Sequence, residues 1–224
     1  MMTVRVGSRP SSLAIKQVEE IGSRMRSVNF EVVRIETAGD RDKTTPLSEI
    51  KKSDFFSGDI EQALLSGSID AGIHSAKDLG DNIPAGLTIA AITSSLSSFE
   101  CLVSRGGLSL KDLPRGAVVG TSSAKRKEAI ARFRPDLVTK DLRGEIDERL
   151  KQLDENKFDA LIIAHAALIR LGYEHRIAQV IPKEIMEPHP LQGALAVEVR
   201  QNDLELIKLF SDLDTRKAGK HARS

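Results

Sequence analysis

The stretch Leu87-Thr88-Ile89-Ala90-Ala91-Ile92-Thr93-Ser94-Ser95-Leu96-Ser97-Ser98-Phe99-Glu100-Cys101-Leu102-Val103-Ser104 decides the architecture. Two apolar runs, Leu87–Thr93 and Cys101–Ser104, read as strands. The small polar segment between them, Thr93-Ser94-Ser95-Leu96-Ser97-Ser98, has the composition of a linker. A second crossing is expected between Ile181-Pro182 and Pro188-His189-Pro190. Two crossings make the first domain discontinuous. Residues 1–95 plus 190–213 are then one α/β domain, 99–187 a second one inserted into it, and 214–224 a C-terminal tail. The run Ala194–Val199 returns as a strand to the first sheet.

Working outward, further strands are expected at Val4–Gly7, Phe30–Glu36, Asp70–His74, Ala117–Gly120, Leu137–Asp141 and Ala160–Ala164. Helical periodicity fills the gaps at Asp59–Leu65, Ser122–Phe133, Glu145–Leu153, Ala164–Leu171 and Asp203–Leu213. The first helix is announced by Ser8-Arg9-Pro10-Ser11-Ser12, hydroxyl caps and an early proline, before the buried-face spacing of Ala14, Val18, Ile21 and Met25. Strands alternating with helices predict mostly parallel sheets. Ligands of such folds bind at the carboxyl ends of strands and the amino ends of helices, so an interdomain cleft is the expected site.

The composition bounds the function. Of 224 residues, 40 % are hydrophobic and 29 % charged, which excludes disorder, and the net charge of +1 lacks the broad basic footprint of a nucleic-acid binder. No apolar run approaches the roughly 20 residues that span a bilayer. The start, Met1-Met2-Thr3-Val4-Arg5-Val6, lacks the apolar core of a secretory signal, so a cytoplasmic protein without membrane or nucleic-acid partners is expected. A single cysteine, Cys101, excludes a disulfide framework and a multi-cysteine metal site; no metal is expected. Its apolar strand context reads as a small buried hydrophobe.

Candidate chemistry sits at strand–helix junctions. Arg9 and Ser11 follow the first strand: they hold a carboxylate at a helix start, or the serines cap the helix and Arg9 is solvated. Gly120-Thr121-Ser122-Ser123-Ala124-Lys125-Arg126-Lys127 puts cations in a first helical turn, against the dipole, which suggests an anionic ligand rather than stability; a solvated basic face is the alternative. Its spacing is not that of a phosphate loop. Arg143 and Arg149 occupy Asp141–Leu150, and Arg170 lies in Leu168-Ile169-Arg170-Leu171-Gly172. Arg9, Arg126, Arg143 and Arg170 are all expected just beyond strands, where together they suit a polycarboxylate. In Ile73-His74-Ser75-Ala76-Lys77-Asp78-Leu79, Asp78 is the negative group placed to stabilise developing positive charge or move a proton, or else it caps a turn; His74 has the alternative of a satisfied buried histidine.

Taken together, Gly7-Ser8-Arg9 with Ser11 and Leu13-Ala14, Thr37-Ala38-Gly39-Asp40, His74-Ser75-Ala76-Lys77-Asp78, Gly120-Thr121-Ser122-Ser123, Leu142-Arg143-Gly144, Arg170-Leu171-Gly172 and Gln192-Gly193-Ala194-Leu195 resemble the porphobilinogen deaminase (hydroxymethylbilane synthase) family over nearly the whole chain. The resemblance implies two domains like type II periplasmic binding proteins. It implies an enzyme of tetrapyrrole (heme) biosynthesis that condenses four porphobilinogen units and releases ammonia, on a dipyrromethane cofactor held by a thioether. By the same resemblance Asp78 is the catalytic carboxylate and Lys77 lies beside the cofactor. Ser123, Lys125, Arg126 and Arg149, with Arg9, Arg143 and Arg170, bind acetate and propionate groups of cofactor and substrate. A monomer is expected.

The sequence also departs from the family. Two lysines of a glycine-rich loop are Ser53 and Gly58 here, with Lys51 and Lys52 nearby to compensate. An arginine pair is Lys125-Arg126, Glu145 replaces an asparagine, Leu191 replaces a glycine, and the hinge is serine-rich. The family continues into a third small α/β domain whose loop carries the cofactor cysteine, which Cys101 does not match. That cysteine is expected outside this chain, in a missing or separately supplied domain. The rival reading is a non-catalytic cytoplasmic binding protein for a small polycarboxylate or pyrrole acid.

Overall fold

The structure, a computed structural model, describes residues 2–42, 45, 55–80 and 82–216. They form two compact units whose boundaries fall between Leu96 and Ser97 and between Gln192 and Gly193. The loop positions Lys51, Lys52 and Ser53 lie outside the described residues.

The first unit is built on a five-stranded sheet in the order β2-β1-β3-β10-β4. Its strands are β1 (Met2–Ser8), β2 (Val28–Arg34), β3 (Ala71–Ser75), β4 (Leu87–Ile92) and β10 (Leu195–Arg200). β1 pairs in parallel with β2 and β3, and β10 runs antiparallel to both β3 and β4. One reversed strand therefore stands in an otherwise parallel sheet. Helix α1 (Ser12–Arg24) lays Ala14, Val18 and Ile21 on one face of this sheet, with Met25 just beyond its end, the spacing read from the sequence. Val18, Ile21 and Met25 pack with Val4, Val6, Ile73, Val197 and, from α7 (Leu204–Phe210), Leu206 and Phe210. Helix α3 (Gly58–Leu65) brings Ile60 and Leu64 against Ile69 and Leu87 in a separate cluster.

The second unit holds a five-stranded sheet in the order β7-β6-β8-β5-β9. Its strands are β5 (Glu100–Ser104), β6 (Val118–Gly120), β7 (Val138–Lys140), β8 (Ala160–Ala164) and β9 (Gln179–Ile181). β5 is the reversed strand, antiparallel to β8 and β9. Leu102, Val119, Ile130, Ile162 and Ile181 are in its core. Helices α4 (Ala124–Phe133), α5 (Ile146–Asp154) and α6 (His165–Leu171) connect the strands.

Several expectations need correction. β2 begins two residues before the expected Phe30, because its register is set by pairing to β1 from Met2↔Val28 onward. The three-residue edge strand β9 and the single turn α2 (Ala38–Arg41) are too short to show a period and were not expected. The last helix ends at Phe210 and continues as a 3₁₀ turn. Residues 214–216, assigned to a tail, instead bond along β4: Asp214 Oδ1 accepts from Ile92 N at 3.0 Å, and Thr215 N donates to Ile92 O at 2.9 Å. Among the described residues, no helix is long and apolar enough to cross a membrane.

Candidate active site

In the first unit, three parallel strands end side by side and their exits carry the candidate residues. Arg9 follows β1 directly. Its Nε donates to both oxygens of Asp40 at 3.0 and 3.2 Å, and its Nη2 donates to Asp40 Oδ1 at 2.5 Å. The guanidinium carbon sits 4.6 Å from the centre of the Phe56 ring. Ser11 is buried, and its Oγ accepts from Ala14 N at 3.3 Å, so its hydroxyl caps α1. The capping alternative thus describes Ser11, whereas Arg9 is paired rather than simply solvated. β3 ends at Ser75 and turns into a 3₁₀ segment, Ala76–Asp78, held by Ala76 N donating to Ala194 O at 3.0 Å. Ala76 is buried, Lys77 half-buried and Asp78 exposed, so the carboxylate sits at the open end of the strand. His74, earlier on β3, is buried and paired with Glu198 of β10. It is the satisfied core histidine of the two alternatives.

In the second unit, Ser123 caps α4, its Oγ accepting from Arg126 N at 3.5 Å. No acid occupies the first turn of α4, and Lys125 is exposed there. Ser122 Oγ donates to Leu142 O at 2.7 Å and accepts from Leu142 N at 2.9 Å, which ties the loop after β6 to the loop after β7. That tie brings Ser123 and Arg143 into neighbouring loops. Gly144 follows with φ +100, and a Cβ there would lie 2.5 Å from Glu148 Oε2, so only glycine makes this turn into α5. Arg149 folds back from α5, its Nε donating to Gly144 O at 2.8 Å, and so returns to the Arg143 loop.

Two arginines stand differently from the sequence reading. Arg126 donates through Nε and Nη2 to the two oxygens of Glu100, at 2.9 and 2.7 Å, and through Nη1 to Ile162 O at 3.1 Å. The pair is nearly buried, so Arg126 ties α4 to β5 and β8. Arg170 lies in the last turn of α6, not just beyond a strand. Six residues of helix carry it about 9 Å along the axis from the end of β8.

Three acids were missed as partners: Asp40, Glu100 and Glu198. For the last two a signal was present, because each is a lone carboxylate inside an apolar strand, Glu100-Cys101-Leu102-Val103 and Ala196-Val197-Glu198-Val199. A carboxylate in a strand covered on both faces needs a partner. Cys101 is fully buried on β5, and burial together with the Glu100 charge pushes its thiol up to about 12. No thiolate forms there near neutral pH. Gln192, at the return crossing, donates from Nε2 to Ser98 O and Phe99 O at 3.3 and 3.1 Å. The other motif residue, Gly193, accepts from Leu96 N at 3.2 Å.

Both sets are rich in cations, hydroxyls and helix N–H groups, the donors that suit an anion, and the first also carries the exposed carboxylate Asp78. Residues 4–208 match the family described as porphobilinogen deaminase, dipyromethane cofactor binding domain. The porphobilinogen deaminase of Paenibacillus macerans is 40 % identical over 224 residues, covering 95 % of this chain and 69 % of that protein. That of Deinococcus radiodurans is 41 % identical, covering 91 % and 68 %. That of Bacillus subtilis is 39 % identical, covering 94 % and 69 %. Among solved structures, an ancestral cationic amino acid solute binding protein aligns with a TM-score of 0.56 at 15 % identity, covering 98 % of this chain and 91 % of that one. A putative methionine-binding lipoprotein from Bacillus subtilis aligns with a TM-score of 0.55 at 15 % identity, covering 98 % and 93 %. These two establish the type II periplasmic-binding-protein-like fold alone. The motifs at the strand ends, the fold and the relatives converge: this chain belongs to the porphobilinogen deaminase family.

Proposed function

We propose that the chain acts as a porphobilinogen deaminase (hydroxymethylbilane synthase), condensing four porphobilinogen units head to tail, with loss of ammonia, to give hydroxymethylbilane. The observation that carries this reading is Asp78, an exposed carboxylate at the end of β3, on a turn anchored to Ala194 O and followed from a strand that parallels the one leading to Arg9. Porphobilinogen carries two carboxylates and a basic aminomethyl group. Arg9, Arg143 and Arg170 bind the acetate and propionate groups, with Ser11 contributing where its capping bond allows. As ammonia leaves, positive charge spreads onto the pyrrole nitrogen. The ionised Asp78 stabilises that charge, the role of a fixed anion beside a developing cation.

The dipyrromethane cofactor supplies the growing end on which the chain extends. Its carboxylates suit the donors of the second unit, namely Ser123, Lys125, Arg149 and the N–H groups of the first turn of α4, where no acid intervenes. By the family resemblance, Lys77 is a further residue that would hold it. Arg126 contributes mainly by holding the start of α4 through Glu100. Cys101, buried and with its pKa raised, is not a thioether anchor. The 99–187 and 1–95 plus 190–213 segments act as the two domains of the family, in a cytoplasmic monomer without nucleic-acid or membrane partners.

Asp78→Asn is the test. Turnover, read as uroporphyrin absorbance with intact mass on the same samples, is expected to vanish while affinity for porphobilinogen stays within about twofold. If affinity collapses with it, Asp78 is structural. If the unmodified protein binds porphobilinogen but forms no porphyrin and gains no pyrrole mass, the binding-protein reading replaces this one.

A further inference from the structure

The motif Thr37-Ala38-Gly39-Asp40 has no part in the function described so far, yet its last residue, Asp40, grips Arg9. Asp40 takes Nε and Nη2 of the guanidinium, the same edge through both oxygens. Asp40 is itself fixed: its Oδ2 accepts from Thr37 N at 3.0 Å and from Thr37 Oγ1 at 2.8 Å. Gly39 donates its N–H to Phe55 O at 2.9 Å, and a Cβ on Gly39 would lie 2.2 Å from Phe56 Cε1. Glycine is therefore what lets the Phe56 ring lie where it carries Arg9 on its face. A guanidinium gripped along its Nε–Nη2 edge and stacked on a ring has its Nη1–Nη2 edge turned away from the grip. The Arg9 side chain keeps 29 % of its exposure while Asp40 keeps 12 %, so the arginine is reachable and its clamp is not.

We propose that Asp40 is a positioning residue: by clamping one edge of Arg9 it presents the opposite fork to a substrate carboxylate, so that Arg9 binds it bidentately without first being ordered. This rests on Arg9 being a substrate ligand. The physical gain is preorganisation, since an arginine otherwise loses rotamer freedom when it binds. Arg9, Asp40 and Thr37 pair in one chain of contacts, so the proposal predicts coupling between them rather than additive effects.

The experiment is calorimetric titration of the full chain with porphobilinogen, for the unmodified protein and for Asp40→Asn, Arg9→Lys, the double variant and Thr37→Val, with thermal unfolding of each. Asp40→Asn is expected to raise Kd about tenfold and Arg9→Lys by a similar factor. The double variant is expected to be no worse than Arg9→Lys alone. Thr37→Val, which removes only the hydroxyl bond to Asp40, is expected to raise Kd two- to threefold, and it serves if Asp40→Asn fails to fold. Multiplying effects in the double variant, or an unchanged Kd for Asp40→Asn and Thr37→Val beside a raised one for Arg9→Lys, overturns the positioning role and leaves Arg9 as a ligand. An unchanged Kd for Arg9→Lys, or no binding by the unmodified protein, overturns the ligand reading of Arg9 and the clamp with it.

Discussion

His74 Nε2 lies 3.1 Å from Glu198 Oε2, a buried pair between the neighbouring antiparallel strands β3 and β10. The two are diagonal in register, since Glu198 faces Gly72 and His74 faces Ala196. A Cβ on Gly72 would lie 2.9 Å from His74 Nε2 and 2.9 Å from Ile60 Cγ2, so glycine makes the room in which the imidazole lies beneath α3. The second oxygen, Glu198 Oε1, is buried with no hydrogen-bond partner. The strand bearing His74 leads within one residue into the turn that carries Asp78.

Removing half of this pair leaves a polar group stranded in the core. Glu198→Ala is expected to destabilise the protein by about 1–3 kcal/mol or more, the cost of an unsatisfied buried group plus a cavity. Urea unfolding measures it. A loss below about 0.5 kcal/mol, the scale of a surface change, would show that the pair contributes nothing.

The Arg126–Glu100 pair is somewhat less sheltered, with side-chain exposures of 13 % and 6 %. Glu100→Ala strands a guanidinium at the start of α4 and is expected to cost about 3–5 kcal/mol. Replacing both residues with apolar ones of similar volume is expected to restore much of that loss. Denaturant midpoints of the single and double variants distinguish an anchoring arginine from one held in reserve for a ligand.

Acid stability carries a signature of the second unit. Arg134 binds both Asp136 oxygens, at 2.7 and 2.8 Å, and the carbonyls of Leu110, Lys111 and Leu113. Its hydrogen bonds hold the Asp136 carboxyl at about 2. A carboxyl lowered on folding stabilises the fold above its unfolded value of about 3.9, and this contribution fades as pH falls through the folded value. Stability measured between about pH 4 and pH 2 is therefore expected to fall less steeply in Asp136→Asn than in the parent. Equal slopes in the two proteins would remove Asp136 from the acid transition.

Cys101 is expected to be chemically silent while the protein is folded. With its thiol pushed up to about 12 and its side chain fully buried, a maleimide added near neutral pH finds neither thiolate nor access. Intact mass is expected to show no label under native conditions and one label in urea. Rapid native labelling would mean that β5 opens readily.

Much of this protein is written in local sequence. Ala14, Val18, Ile21 and Met25 announce the buried face of α1, and the serine-rich segment after Leu87–Thr93 announces the crossing, because periodicity and turn chemistry act over a few residues. The motifs that identify the family are likewise short and contiguous. Short edge elements such as β9 carried no such signal, since their existence depends on a neighbouring strand rather than on their own period. The same holds for the site. The sequence named Arg9, Arg126 and His74, but it could not say that Asp40, Glu100 and Glu198 hold them, at separations of 31, 26 and 124 residues. It listed cations as though all were equally available. Only the tertiary structure decided which are gripped and by which edge, and that Arg170 lies a helix length from its strand, because those facts are set by how separate strands and helices meet in space.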